Sequence, residues 1–472
     1  MSTRLIWSGV LAAAFASTLT GCALQSPPTR ADVTRDALPN TVLAPAWKAG
    51  GDPSAPRPDA WLVSFGEPML TTLVAEALAY NADLQIAAAR VEQAGGALRV
   101  ASAPMLPTLG VAGVYSGDSG GGGGLNAVFL NASLELDVWG RLRYGEAAAR
   151  AQSDAAQADF AYARQSLAAM VARSWFLAVE AGLQRTLVED ALRAALELER
   201  VAKERLRVGV GNEQAVAEAQ ANVGNVRDTL RQTVQARDEA LRALELLLGR
   251  YPAAEIAVAA RLAPMPAPVP IGLPSDLLER RPDVIGAERR VAAAFNRVGE
   301  AKAAQLPRIS LTAGVSWISS DVLVLQDRDN PSYGFGANLF APLYQGGALR
   351  AQVEIRDAEQ KQAMAEYARI AQRSFGEVEN ALGAEAALRD REALLAGNIT
   401  ANQRALELAQ IQYRVGSVDL RAVEQRQLAL LSVRTTLLRV QTERLAQRVN
   451  LHLALGGGFD TAPMAAIAEQ KR

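Results

Sequence analysis

One cysteine, Cys22, and one histidine, His452, are all that the chain offers of the two side chains most used in nucleophilic and metal chemistry. A disulfide within the chain is therefore impossible. A Cys/His zinc site or a Cys–His catalytic pair has almost nothing to be built from. Carboxylates alone can hold a metal, but no clustered acidic motif such as a calcium loop is present. No nucleophile–base constellation stands out either, so no catalytic residue, no metal and no enzyme activity are expected. Cys22 sits elsewhere in chemistry. It closes Leu19-Thr20-Gly21-Cys22, after a mostly apolar stretch Leu5–Leu19 preceded by Arg4. That stretch is too short for a comfortable transmembrane helix and reads as a secretory signal. Its end resembles the bacterial lipobox, in which the signal is cut before the Cys. The Cys then carries a diacylglyceryl group and an N-acyl chain such as palmitate, and no other cofactor is expected. Such an anchor holds by burying acyl chains, at about 0.8 kcal/mol per methylene. Ala23, where an Asp would resemble an inner-membrane retention signal, favours the outer membrane. His452, among Leu451, Leu453 and Leu455, reads as a packing residue.

Two further chemistries are excluded on composition and context. With 49 basic and 50 acidic side chains and a net charge of −1, the chain lacks the cationic surplus that phosphate backbones require, so nucleic acid is not expected as a partner. The run Gly120–Gly124 could suggest a phosphate-binding loop, but that loop needs a following helix and a Lys-Ser or Lys-Thr signature. Here a strand pattern follows, and the run reads as an exposed hairpin tip.

The elements behind these residues are organised as a duplication. Sliding the chain by 207 places Arg207-Val208-Gly209 on Arg414-Val415-Gly416, and 16 of the 48 positions in 202–249 are identical. A second match, at an offset of 200, pairs Asp83 with Asp283, Arg90-Val91 with Arg290-Val291 and Leu106-Pro107 with Leu306-Pro307. The expected organisation is a signal over 1–21, a lipidated Pro-rich tether over 22–60, a first repeat over 61–250, a Pro-rich linker over 251–274, a second repeat over 275–457 and a tail over 458–472. The prolines of the tether predict an extended segment.

Each repeat reads as helix, strand, strand, long helix, helix. Residues 67–102 carry a helical pattern that stops at Pro104 and Pro107. In the second repeat Asp276-Leu277-Leu278-Glu279 reads as a capping-box start of a helix running to about Gln305. Strict alternation follows each Leu-Pro: Leu109, Val111, Gly113 and Tyr115; Val128 to Val138; Ile309 to Trp317; Tyr333 to Ala341. Strands of this length cross a bilayer at the usual tilt. Trp139, Trp317 and Tyr344 stand near strand ends as interfacial girdles would. Periodicity alone does not say whether the apolar face meets lipid or a soluble core; the lipobox and the long helices favour lipid. Proline-free helical runs then extend from about Tyr144 to Val208 and from about Ala348 to Val415, and 60 such residues reach about 90 Å. Breaks at Gly209 and Gly416 return the chain as helices over 212–248 and 418–455. The low aromatic content, 5%, fits long helices better than an enzyme core. Four strands cannot close a barrel, and an open edge in lipid is costly, so other copies are needed; three give twelve strands.

These residues resemble the TolC-like outer-membrane efflux family, in its NodT/OprM-type lipoprotein branch. The words that carry the resemblance are the lipobox, Trp61-Leu62-Val63-Ser64-Phe65-Gly66-Glu67-Pro68, Asp137-Val138-Trp139-Gly140-Arg141, Leu278-Glu279-Arg280-Arg281-Pro282-Asp283 and Tyr413-Arg414-Val415-Gly416. The resemblance implies a mainly α fold with a small membrane β-barrel: a homotrimer whose twelve-stranded barrel continues into a long α-helical barrel. It implies residence in the outer membrane of a Gram-negative bacterium, in contact with its lipid, and extension into the periplasm. The implied partners are a periplasmic adaptor and an inner-membrane RND-type pump, in a tripartite system in which this chain is a passive, gated duct. The implied gate lies just after Gly416, where Asp419, Arg421, Glu424 and Arg426 are the candidates. Glu424 is displaced by one residue from the family's usual word, about 100° around a helix. The bends at Gly209 and Gly416, with Glu213 and Glu218, are the implied adaptor contacts. A type I secretion exit duct and a pore-free periplasmic coiled-coil scaffold are the alternatives.

Overall fold

A computed structural model describes residues 25–42, 44–50, 60–115, 125–320 and 332–458. Cys22 and the signal segment, the run Gly120–Gly124 and the tail from 459 lie outside the described residues. The element order is α1 (Arg30–Ala37), α2 (Pro68–Tyr80), α3 (Ala82–Ser102), β1 (Thr108–Tyr115), β2 (Leu125–Leu136), α4 (Arg141–Arg207), α5 (Glu213–Leu247), α6 (Pro274–Arg280), α7 (Pro282–Ala303), β3 (Arg308–Ser320), β4 (Ser332–Phe340), α8 (Ala348–Arg414) and α9 (Leu420–Ala454). The two long helices have the same length, 67 residues, as do the two return helices, 35 residues.

Contacts divide the chain into two units. The first comprises residues up to Thr41, Ala89–Asp159 and Asp283–Ile370. It holds a four-stranded antiparallel sheet in the order β1-β2-β3-β4. Register fixes which side chains share a face, because directly paired residues point the same way. Val111 pairs with Leu130, Leu130 with Val315, and Val315 with Tyr333. One row out, Leu109, Ala132, Ala313 and Phe335 are likewise aligned. The four alternating patterns therefore merge into one continuous apolar face. Among the described residues nothing packs over it: Leu109 is 77% exposed, Phe335 88% and Leu339 70%. A soluble sandwich would bury this face. The opposite face carries Asn131, Ser133, Glu135, Thr312 and Asn338. Trp317 and Tyr344 are exposed, whereas Trp139 is half-buried and donates its indole N–H to the Pro307 carbonyl at 2.7 Å.

The joint from β2 to α4 shows why the Asp137-to-Arg141 word is needed. The Asp137 carboxylate accepts from the Leu142 and Arg143 amides at 2.9 and 3.0 Å, which satisfies N–H groups that the first helical turn leaves orphaned. Arg141 folds back on Glu135 in a bidentate pair. Gly140 supplies a φ of +78° at the turn.

The second unit comprises Val42–Ala88, Phe160–Pro282 and residues from Ala371 on. Its main core gathers Trp61, Leu62 and Phe65 with Leu70 and Leu73 of α2, Leu167–Val179 of α4, and Leu241, Leu244 and Leu248. The Pro-rich linker has no regular element but is pinned. Glu245 accepts from the amides of Ala254 and Glu255 at 2.7 and 2.8 Å. Arg448, buried and paired with Glu385, donates to the Pro266 carbonyl at 3.0 Å and to that of Ala267. Arg281, also buried, pairs with Glu377 at 2.6 Å and bonds the Ala454 carbonyl.

Three expectations are corrected. The helix expected over 67–102 is two helices, because Asn81 leaves helical geometry and caps α3, accepting from the Leu84 amide at 3.0 Å. In the second repeat the helix likewise breaks at Arg281, before Pro282, and Asp276 does not start α6. It is the third helical residue, and its carboxylate accepts from the Leu273 amide at 3.2 Å. The tether is not simply extended. Thr29 and Asp32 form a reciprocal capping box at the start of α1. In the first unit Arg30 pairs with Glu288, Thr34 bonds the Tyr367 hydroxyl, and Val33 and Leu38 are buried. In the second, Trp47 is buried and donates to the Gly272 carbonyl at 3.0 Å, and Glu379 accepts from the Lys48 and Ala49 amides. The segment is strapped down by partners more than 200 residues away in sequence.

Candidate gate at the helix bends

Both bends lie in the second unit and are built alike. At the end of α4 the Gly209 amide bonds the Leu206 carbonyl and the Val210 amide bonds that of Arg205. At the end of α8 the Gly416 amide bonds the Tyr413 carbonyl and the Ser417 amide that of Gln412. This paired closure requires a left-handed residue, and the glycines provide φ of +78° and +79°. The return helices start on side-chain caps: Asn212 accepts from the Ala215 amide at 2.8 Å, and Asp419 from that of Ala422 at 3.0 Å. Asp419 therefore has a structural task.

Beneath the bends one apolar cluster joins the repeats. Leu198, Ala202 and Ala219 come from the first, and Ala409, Tyr413, Leu420 and Val423 from the second. Polar links fasten its rim. Arg421 pairs with Glu218 at 2.5 Å, and Glu218 also accepts from Gln214 at 3.0 Å. The bond from Gln214, then that from Arg421, holds the Glu218 carboxyl below the usual range. The Arg205 guanidinium lies 4.9 Å from the centre of the Tyr413 ring and donates to the Tyr413 carbonyl at 3.2 Å.

Glu424 is the unusual member. Its Oε1 is buried and has no hydrogen-bond partner among the described residues. Burial, then the charge of Glu218, pushes its pKa up, while the Asn222 amide and Arg421 oppose the shift. An acid that would be a solvated surface charge on an isolated helix is thus shielded and crowded by a like charge. The structure brings Glu218, Arg421 and Glu424 together, with Asp419 as the helix cap. Arg426 and Glu213 are exposed and take no part in this cluster. Sequence reasoning passed over Arg205, Gln214 and Asn222, which lie in no motif; Tyr413 was visible only as part of a repeated word.

His452 stacks on Trp61, with ring centroids 5.5 Å apart and planes 14° apart, and its Nε2 has no partner among the described residues. Burial, aided by Arg448, holds its pKa down to about 3, so it is a neutral packing residue. Among the described residues no group of three His, Cys, Asp or Glu side chains is placed to hold a metal ion.

Comparison with known proteins agrees with this architecture. The cation efflux system protein CusC of Escherichia coli K12 is 30% identical over 406 residues, covering 84% of this chain and 88% of that protein. The pyoverdine export outer membrane protein OpmQ of Pseudomonas aeruginosa is 30% identical over 446 residues, covering 90% and 93%. Among solved structures, the outer-membrane channel OprN superposes with a TM-score of 0.80 at 25% identity, covering 92% of this chain and 99% of that one. A CusC crystal structure gives 0.76 at 29%, covering 89% and 99%. The model of the outer membrane efflux protein family matches twice, over residues 73–250 and 273–457. The two matches fall on the two halves of the duplication and together cover most of the chain, and the chain belongs to the outer membrane efflux protein family.

Proposed function

We propose that this efflux protein is a passive, gated duct formed by three copies of the chain. The observation that carries the reading is the open sheet. Its apolar face is continuous and uncovered, and β1 and β4 are its edges. In lipid each unpaired backbone group costs several kcal/mol, so the edges must be closed. Four consecutive antiparallel strands leave β1 and β4 running in opposite directions. The β4 edge of one copy can therefore pair antiparallel with β1 of the next, and repetition around an axis closes a ring. Three copies give twelve strands, with the apolar face toward lipid and Asn131, Ser133, Glu135 and Thr312 toward the lumen.

The bends form the gate. Opening separates the two repeats' hairpins, which Arg421–Glu218, Arg205–Tyr413 and the apolar cluster hold together. The exposed bend surfaces around Gly209, Gly416 and Glu213 receive a periplasmic adaptor, and an inner-membrane RND-type pump supplies the energy. Cys22 carries the lipid anchor. The relatives' names give chemically unlike cargoes, a cation and pyoverdine. That divergence on one scaffold supports selection of cargo by the pump rather than by the duct.

Single-channel conductance in a planar bilayer, with the oligomer mass measured in the same detergent, tests this. A trimer passing small, flickering currents is expected. A monomer without conductance would overturn the duct reading and leave a lipid-anchored scaffold.

A further inference from the structure

In the second unit an open cavity of about 420 Å³ lies among α4, α8 and α9. Arg173, half-buried, reaches into it. Among the described residues it donates one hydrogen bond, to the Asn450 Oδ1 at 2.8 Å, and no carboxylate pairs with it. Burial is the main influence on the guanidinium and lowers its pKa, and the one charge-bearing neighbour that counters this is Tyr162. A half-buried guanidinium without an anion is unusual, since arginines withdrawn from water are paired. The two buried arginines of this unit are: Arg281 with Glu377 and Arg448 with Glu385.

The wall around Arg173 is divided by chemistry. Asn450 donates its amide to the Gln447 Oε1 at 3.2 Å, and Gln447, Asn380 and Tyr162 line the same space. The remaining wall is apolar: Ala381, Ala384, Leu453 and Ala454. Glu377 stands on the rim, shared between Arg281 at 2.6 Å and Arg373 at 3.5 Å. We propose that this cavity binds a small organic monocarboxylate, its carboxylate on the Arg173 guanidinium and its apolar body against Ala381, Ala384, Leu453 and Ala454. The planar fork of arginine matches a carboxylate in two parallel hydrogen bonds. The flanking amides supply further donors to the same oxygens. The Glu377 charge on the rim disfavours dianions such as phosphate, and the alanine side excludes a fully hydrated ion.

The site does not depend on the gated-duct reading, and its test uses no conductance. Isothermal titration calorimetry of the full-length protein in detergent, with sodium benzoate as probe, is expected to show one saturable site per chain. Benzamide, the uncharged analogue, and inorganic phosphate are each expected to bind at least tenfold more weakly. Arg173→Gln is expected to weaken benzoate at least tenfold. Asn380→Asp places a carboxylate in the wall of the same cavity and leaves Arg173 in place; it is expected to do the same, which keeps the test decisive if Arg173→Gln fails to fold. Saturation by benzamide or phosphate as tight as by benzoate, unchanged benzoate binding in a folded variant, or no saturable heat at all would each overturn the proposal.

Discussion

His452 makes the stability of this protein depend on pH in a direction and size that can be worked out. The ring is 4% exposed, stacked on Trp61, and titrates at about 3 instead of the ordinary 6.5. The folded chain therefore keeps it neutral while the unfolded chain takes up a proton. Stability from this residue is complete above pH 6.5 and is lost as pH falls from 6.5 toward 3. At 1.36 kcal/mol per pKa unit, the loss at pH 5 is about 2 kcal/mol, and about 4 kcal/mol by pH 3, where the folded ring is itself half protonated. His452→Leu keeps a similar volume and removes both the titration and the unpartnered Nε2. Other acids titrate in both proteins, so the informative quantity is the change from pH 7.5 to pH 5.0, wild type against variant. Unfolding in guanidinium in detergent micelles, followed by tryptophan emission, reports it. Wild type is expected to lose about 2 kcal/mol more than the variant; if unfolding is irreversible, its rate is expected to rise up to about 30-fold more, the same energy at 1.4 kcal/mol per decade. His452→Gln, neutral and polar, is expected to behave like His452→Leu. Equal pH dependence in wild type and both variants would refute the depressed pKa, and with it the claim that burial dominates at this ring.

Four further outcomes are expected. Arg421→Ala and Glu218→Gln each raise bilayer conductance, and the double exchange Glu218→Arg with Arg421→Glu restores the closed level; unchanged currents in all three remove the pair from the gate. Because the Glu424 pKa is raised, its ionised form strains the joined bends near neutral pH and its protonation on acidification relieves them. Conductance then falls with pH in wild type, whereas Glu424→Gln is low at neutral pH and insensitive to it. Gly416→Ala, forced to a φ of +79°, costs about 1 kcal/mol through its left-handed backbone, measurable by the guanidinium midpoint. Cys22→Ser abolishes incorporation of labelled palmitate in cells; a labelled variant would end the lipobox assignment.

Local patterns were legible in the sequence to the extent that backbone chemistry writes them. Alternation around Leu109–Tyr115 and Ile309–Trp317, the prolines at 107 and 307, and the glycines at 209 and 416 each state a rule that holds without knowledge of distant partners. The break at Asn81 was equally local, since an Asn three residues before Leu84 is a capping signal, but the strong helical period on both sides masked it. The docking of residues 25–50 was not legible. Thr34, Trp47 and Lys48 are unremarkable in a Pro- and Ala-rich stretch until Tyr367, Gly272 and Glu379 are brought to them. The gate candidates divide the same way. Asp419 as a cap follows from its place before a helix, whereas the shielding of Glu424 needs Glu218 and Asn222, which reach it only through the packing of the two repeats. Arg173 stands in a helix full of arginines, and only the cavity beside it, with no carboxylate partner among the described residues, sets it apart.

The uncovered edges β1 and β4 have a consequence for genetics. In the ring of three proposed above, a chain with an intact β1 and a β4 edge that cannot pair still joins through its sound edge and then prevents closure. In a cell making equal amounts of both chains, random mixing in threes leaves only about one ring in eight free of the defect. Such alleles are expected to act dominantly, suppressing export well below half even beside a functional copy, whereas alleles that abolish folding or secretion of the chain are recessive.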